Sequence, residues 1–269
     1  MALSEPSRSP DLKRWIHNWR VDPSAACRLF CFPYAGGNAN VYRPWQEPLA
    51  RVGIEVCPLE LPGRLARLRE PGFSVLEPLV EQLAEVLAPA LSRPFAFVGY
   101  SMGALIAFEL TRYLRRHRMP GPVRLLVAAR PAPQLPSRGR ALHELSDQAL
   151  LAEIGAVYGA LPEPVLADAT FRAIVVEVIR NDLRLLHGYS YREETPLECP
   201  IVALGGNADP TVSIDELGAW QAQTENFRME LFEGGHFFLN PCRGKILEEI
   251  CRALAPCLAR PPLTSEWGL

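Results

Sequence analysis

Gly99-Tyr100-Ser101-Met102-Gly103 follows the apolar run Phe95-Ala96-Phe97-Val98 and leads directly into Ala104-Leu105-Ile106-Ala107-Phe108-Glu109-Leu110. The first run predicts a buried strand, and the helical spacing of apolar residues in the second predicts a helix. A strand that becomes a helix across so few residues demands a sheet with helices packed on it. The flanking glycines leave room for the bend. The bend forces the Ser101 hydroxyl outward, to the helix N-terminus, where free N–H groups and the helix dipole favour developing negative charge. A nucleophile is expected there.

The same alternation recurs along the chain. Strands are predicted at 28–32, 54–57, 123–129, 201–204 and 227–232, besides the one before Ser101. Helices are predicted at 41–52, interrupted by Pro44 and Pro48, at 74–91, from the serine turn to about 118, and at 243–258. Ser74 and Glu77 have the spacing of a capping box at the start of the second of these. Strands alternating with helices imply parallel crossovers and a sheet covered on both faces. One stretch departs from this. Pro131 to Pro196 is mostly helical in pattern, punctuated by Pro131, Pro133, Pro136, Pro162, Pro164 and Pro196, and holds no convincing buried strand. The expectation is one α/β core made of residues 27–132 and 193–260, with a helical lid, 133–192, inserted between two strands. Residues 1–26 precede it as an N-terminal extension with a flexible start, in which Trp15 and Trp19 cap the edge of the core.

Serine needs a base within reach, and the base needs an orienting acid. Functional groups of an open parallel sheet collect beyond the carboxyl ends of its strands. Of the five histidines, His17 precedes the core, His117 ends the helix that Ser101 begins, and His143 and His187 fall in the inserted stretch. His236 alone directly follows a predicted strand, in Glu233-Gly234-Gly235-His236-Phe237-Phe238. By the same rule Asp209, in Gly205-Gly206-Asn207-Ala208-Asp209-Pro210, is the acid, with Asp215 and Asp182 next in line. The chain order Ser101, Asp209, His236 is the one in which such serine turns occur. Two preset N–H donors should meet the oxyanion of a tetrahedral intermediate. Met102 supplies one, and Ala35, in the turn Tyr34-Ala35-Gly36-Gly37, is expected to supply the other.

Other chemistries find little support. There is no H-E-x-x-H and no cysteine–histidine cluster, so neither a metal nor another cofactor is expected. A net charge of −2 offers no attraction to nucleic acid. Seven cysteines, an odd number without a C-x-x-C, predict reduced thiols and a cytoplasmic location. Neither a secretory leader nor a run of about 20 apolar residues is found, so no membrane association is expected. A monomer is the default expectation.

Phe32-Pro33-Tyr34-Ala35-Gly36-Gly37, Leu61-Pro62-Gly63-Arg64, the serine turn and Gly234-Gly235-His236-Phe237-Phe238 together resemble the type II thioesterases, with Arg180-Asn181-Asp182-Leu183 similar to a lid helix of that family. The likeness runs in order over residues 27 to 258, and the lead-in lies outside it. It implies an α/β-hydrolase fold with a helical lid. It also implies the hydrolysis of acyl groups from the phosphopantetheine arm of acyl or peptidyl carrier proteins, clearing stalled or misloaded chains from polyketide or nonribosomal peptide assembly lines. In that reading Ser101 is the nucleophile, His236 the general base and then acid, Asp209 the group that orients it, and Met102 and Ala35 form the oxyanion hole. Rival readings are a product-releasing thioesterase, an acyltransferase, a general serine esterase, and an inactive hydrolase fold used for binding.

Overall fold

The computed structural model describes residues 10–136, 140–159 and 167–258. The first nine residues of the lead-in, Pro162 and Pro164, and the last residues of the expected core lie outside that range.

The strands are β1 (Cys27–Phe32), β2 (Ile54–Pro58), β3 (Phe95–Tyr100), β4 (Arg124–Ala128), β5 (Ile201–Gly206) and β6 (Phe227–Phe232). They form one sheet in the order β2-β1-β3-β4-β5-β6, and every pairing is parallel. The helices are α1 (Pro10–Trp15), α2 (Gln46–Ala50), α3 (Leu76–Leu87), α4 (Met102–Arg116), α5 (Asp147–Tyr158), α6 (Ala169–His187), α7 (Ile214–Gly218) and α8 (Arg243–Leu254).

Strands buried on both faces explain the near-continuous apolar runs in the sequence. Along β1, Phe30 and Phe32 enter one apolar layer with α3 and α4, while Leu29 and Cys31 enter the other with α8. Side chains that alternate across a pleated strand produce this division. Each fully buried Leu or Phe in such a layer contributes about 1.5–3 kcal/mol relative to exposure. The charged exception, Arg28, is paired with its register neighbour Glu55, and Trp19 Nε1 donates to the same carboxylate. The extension is thereby fastened to the sheet. Leu12, Trp15 and Ile16 are buried, and Ile16 forms an antiparallel bridge with Leu59.

Some local expectations shift. The helix expected at 41–52 divides into a 3-10 turn, Ala39–Trp45, and the short α2. Pro44, lacking an N–H, lies inside the 3-10 turn. The Ser74–Glu77 capping box does not form. Val75 is the N-cap of α3 and makes no side-chain bond, so Glu77 falls one position too early to reach back. A complete capping box occurs instead at α7, between Ser213 and Glu216. Between β4 and β5 the described residues hold helices and no strand of the sheet. There Leu150, Val176 and Ile179 make a small apolar cluster separate from the two main layers.

The chain leaves β1 for β2 on one side and returns to β3 on the other. Beyond their carboxyl ends the loops after β1 and β3 part, which is where open α/β sheets form ligand crevices.

Candidate active site

Ser101 sits at that parting. Its backbone adopts φ 53° and ψ −109°, in the left-handed half of the map that residues with a side chain seldom occupy. Close packing on either side holds it there. A Cβ on Gly99 would lie 2.1 Å from the Gly103 carbonyl oxygen, and one on Gly103 would lie 2.1 Å from that of Phe32. Only hydrogen fits at both places. The Ser101 N–H donates to the Ala128 carbonyl at 2.7 Å. Its hydroxyl does not cap α4 and makes no hydrogen bond to another described residue. The nucleophile candidate thus stands partly exposed and unengaged at the head of a 15-residue helix.

The loops after β5 and β6 are zipped together. Asn207 N–H donates to the Phe232 carbonyl at 2.8 Å, Ala208 N–H to that of Gly234 at 2.9 Å, and Gly234 N–H to Asn207 Oδ1 at 3.1 Å. This contact needs Gly206, where a Cβ would lie 2.4 Å from the Gly235 carbonyl oxygen. Gly234, with φ 118°, makes the turn that aims the histidine. As a result His236 Nδ1 lies 2.8 Å from Asp209 Oδ2, with both side chains almost completely buried. Thr211 donates to Asp209 Oδ1 through its N–H and its hydroxyl, each at 2.8 Å, and that hydroxyl lies 3.0 Å from His236 Nδ1. Burial alone would raise the Asp209 carboxyl. The His236 hydrogen bond and charge, together with Thr211, outweigh it and hold the carboxyl below its ordinary range. An ionised Asp209 accepts from Nδ1–H, which leaves the Nε2 lone pair free to take a proton.

Tyr100, next to the serine, connects the two halves. Its hydroxyl donates to the His236 carbonyl, and its ring meets the imidazole edge-on at 6.1 Å. Tyr158, the last residue of α5, lies 4.9 Å from the imidazole, and Phe237 lies 5.3 Å from it. Tyr34 packs against both Tyr100 and Phe237.

The turn after β1 is closed by Gly37 N–H donating to the Tyr34 carbonyl at 2.8 Å, and Gly36 at its third position has φ 76°, as a type II turn requires. The Gly36 N–H is taken by Asp182 at 2.7 Å. Among the described residues, the N–H groups of Ala35 and Met102 have no acceptor.

Ala35, Ser101, Met102, Asp209 and His236 therefore all stand beyond the carboxyl ends of the strands. The other histidines are occupied elsewhere: His17 bonds Asn18, His117 bonds the Tyr113 carbonyl, and His143 packs at a tilt against His187, ring centroids 4.8 Å apart. Of the rival acids, Asp215 lies in α7 and Asp182 bonds Arg64 and Gly36. Thr211, Tyr100 and Tyr158 carried no signal in the sequence, because their partners are distant along the chain or in another segment. No group of three or more metal-ligating side chains occurs among the described residues, and no described helix is long and apolar enough to cross a membrane. A surface cavity of about 1140 Å³ is lined by Arg115, Glu194 and Phe227 at the start of β6, the opposite end of the sheet, and takes no part in the site.

Comparison with known proteins gives a consistent result. A family model described as "Thioesterase domain" matches residues 27–257. The gramicidin S biosynthesis protein GrsT of Aneurinibacillus migulanus is 39% identical over 249 residues, covering 92% of this chain and 96% of GrsT. RedJ, a thioesterase of the prodiginine pathway in Streptomyces coelicolor, is 37% identical, with a TM-score of 0.80 over 90% of this chain and 93% of RedJ. BorB, the type II thioesterase of the borrelidin cluster, is 36% identical, with a TM-score of 0.77 over 91% of this chain and 97% of BorB.

Proposed function

The chain belongs to the thioesterase domain family, and on that premise we propose that Ser101, His236 and Asp209 form its proton relay, with Ala35 and Met102 as oxyanion donors. The enzyme hydrolyses acyl thioesters. Its substrates are acyl groups on the phosphopantetheine arms of acyl or peptidyl carrier proteins, and its role is to free a polyketide or nonribosomal peptide synthase of stalled or misloaded groups. The observation that carries this reading is the 2.8 Å contact between His236 and Asp209 beside a strained, unengaged serine.

This arrangement supports a two-stage acyl transfer. His236 Nε2 takes the Ser101 proton as Oγ attacks the thioester carbonyl. Asp209 holds the imidazole in the required tautomer and stabilises the imidazolium that forms. Negative charge gathers on the former carbonyl oxygen, where the Ala35 and Met102 N–H groups meet it. Collapse expels the pantetheine thiolate, which takes the proton from His236. Water, deprotonated by His236, then attacks the acyl-serine and releases the acid. Each donor removed from such a hole costs about 3–4 kcal/mol of transition-state stabilisation.

Residues 133–192, with α5 and α6, serve as a helical lid over the acyl group, set between the two parts of the core, 27–132 and 193–260. Tyr158 lying against His236 supports this role. Seven free cysteines fit a reducing, cytoplasmic setting.

The test is a comparison of wild type and Ser101→Ala on acetyl- and long-acyl-carrier proteins, with the matching oxygen esters as controls. Wild type should release free acid from carriers, faster than from oxygen esters, and mass spectrometry should find the acyl group on Ser101. Ser101→Ala, folded by circular dichroism, should do neither. Wild-type turnover by Ser101→Ala would overturn the assignment.

A further inference from the structure

One buried ion pair stands outside this relay. Asp182, on α6, is 4% exposed, and Arg64, in the loop after β2, is 6% exposed. Their side chains are bonded to each other across 118 positions of sequence. The pair also holds the turn that carries Ala35. Asp182 Oδ2 accepts the Gly36 N–H at 2.7 Å, and Arg64 Nε donates to the Gly37 carbonyl at 2.7 Å. A third arm of Arg64 reaches the Pro62 carbonyl at 3.2 Å. One turn of helix before Asp182, Ile179 presses on the same loop: a Cβ on Gly36 would lie 2.7 Å from Ile179 Cγ1. Residues three apart on a helix share a face, so α6 presents both an apolar and a charged contact to this single turn.

Burying two charges is costly, and a buried pair adds little stability over an apolar substitute. Here the pair achieves something an apolar substitute could not. It engages one donor and one acceptor of a turn whose glycines leave its backbone many alternative conformations. It also uses up the Gly36 N–H, so the Ala35 N–H is left as the turn's free donor. Burial pushes the Asp182 carboxyl above its ordinary range, opposed by Arg64 and the Gly36 N–H.

We propose that Asp182, with Arg64, is a positioning residue for the oxyanion hole: a carboxylate supplied by the segment between β4 and β5 fixes the Ala35 N–H where charge develops. This rests on the proposed role of Ala35. Preorganised donors act mainly on the transition state, so the predicted defect is in kcat and not in substrate binding.

The experiment measures kcat, KM, thermal unfolding, and the affinity of a trifluoromethyl ketone analogue of an acyl-pantetheine for wild type, Asp182→Ala and Asp182→Asn. The analogue, once attacked by Ser101, carries an oxyanion. Asp182→Ala should lower kcat about 100-fold, with KM nearly constant, and weaken the analogue by a similar factor. Asp182→Asn keeps an oxygen for the Gly36 N–H and should recover part of both losses, which a general loss of folding would not allow. It also keeps the inference testable if the alanine variant does not fold. Unchanged kcat and analogue affinity in the folded variants would overturn the inference. So would a loss confined to KM. Activity surviving in Ser101→Ala would instead defeat the underlying relay, so the two failures are distinguishable.

Discussion

Glu60 gives a quantitative test of how the loops around the site are held. It is 1% exposed, its Oε2 accepts the Ala39 N–H at 3.1 Å, and its Oε1 has no hydrogen-bond partner among the described residues. Burial pushes its carboxyl from an ordinary 4.5 up to about 7, against the Ala39 N–H and the charges of Arg64 and Arg67. A raised carboxyl favours the protonated form in the folded state. Its contribution is therefore fully present below about pH 4.5 and is lost as the pH rises through about 7. Glu60→Gln locks in a neutral, nearly isosteric side chain that can still accept from Ala39. Integrating the linkage between those two values makes the variant about 3 kcal/mol more stable than wild type at about pH 8, with a little under half of that gap open by about pH 5.5. The two proteins should be nearly equal at about pH 4. Urea unfolding of both across this range measures the gap directly. A constant offset at every pH, or a variant less stable than wild type at alkaline pH, would refute the reasoning.

Asp209→Asn should lower kcat by about 10⁴-fold with the fold retained, because the imidazole would lose the partner that sets its tautomer; steady-state thioester hydrolysis checks this, and a loss under tenfold would move the acid to another residue. The same variant should weaken the acid limb of the stability curve, since a depressed carboxyl stabilises above its ordinary value and ceases to as the pH falls through its folded value. Gly103→Ala places a Cβ 2.1 Å from the Phe32 carbonyl oxygen, a backbone atom with no flexible side chain to yield. It should destabilise by about 3 kcal/mol or more, read as a lower urea midpoint, and a midpoint equal to wild type would show that β1 and α4 can move apart.

Legibility in the sequence followed how local each cause was. The serine turn is encoded in five consecutive residues, and the strand–helix alternation around it is written in hydrophobic period. The positions of Asp209 and His236 followed from one topological rule about strand ends. Thr211 and Tyr158 were not legible, since a hydroxyl beside an acid or a tyrosine ending a helix signals nothing until the loops meet. The Arg64–Asp182 pair was half-visible: each residue stands in a segment that carries the family resemblance, yet the two are 118 positions apart and nothing local pairs them or predicts that both are buried. The failed Ser74–Glu77 cap is a boundary error of one residue, enough to remove a reciprocal hydrogen bond.

The apolar cluster of Leu150, Val176 and Ile179 stands apart from the layers that flank the sheet. Substitutions among its members tax a small, self-contained reserve of cohesion and leave the main foundations untouched. If this segment roofs the acyl group as proposed, natural variation or a designer could recast it for bulkier or slimmer cargo while the proposed relay beneath keeps its tolerances. The one boundary on that freedom is the seam where Ile179 and Asp182 rest on Gly36, because there a renovation of the roof would reach the machinery.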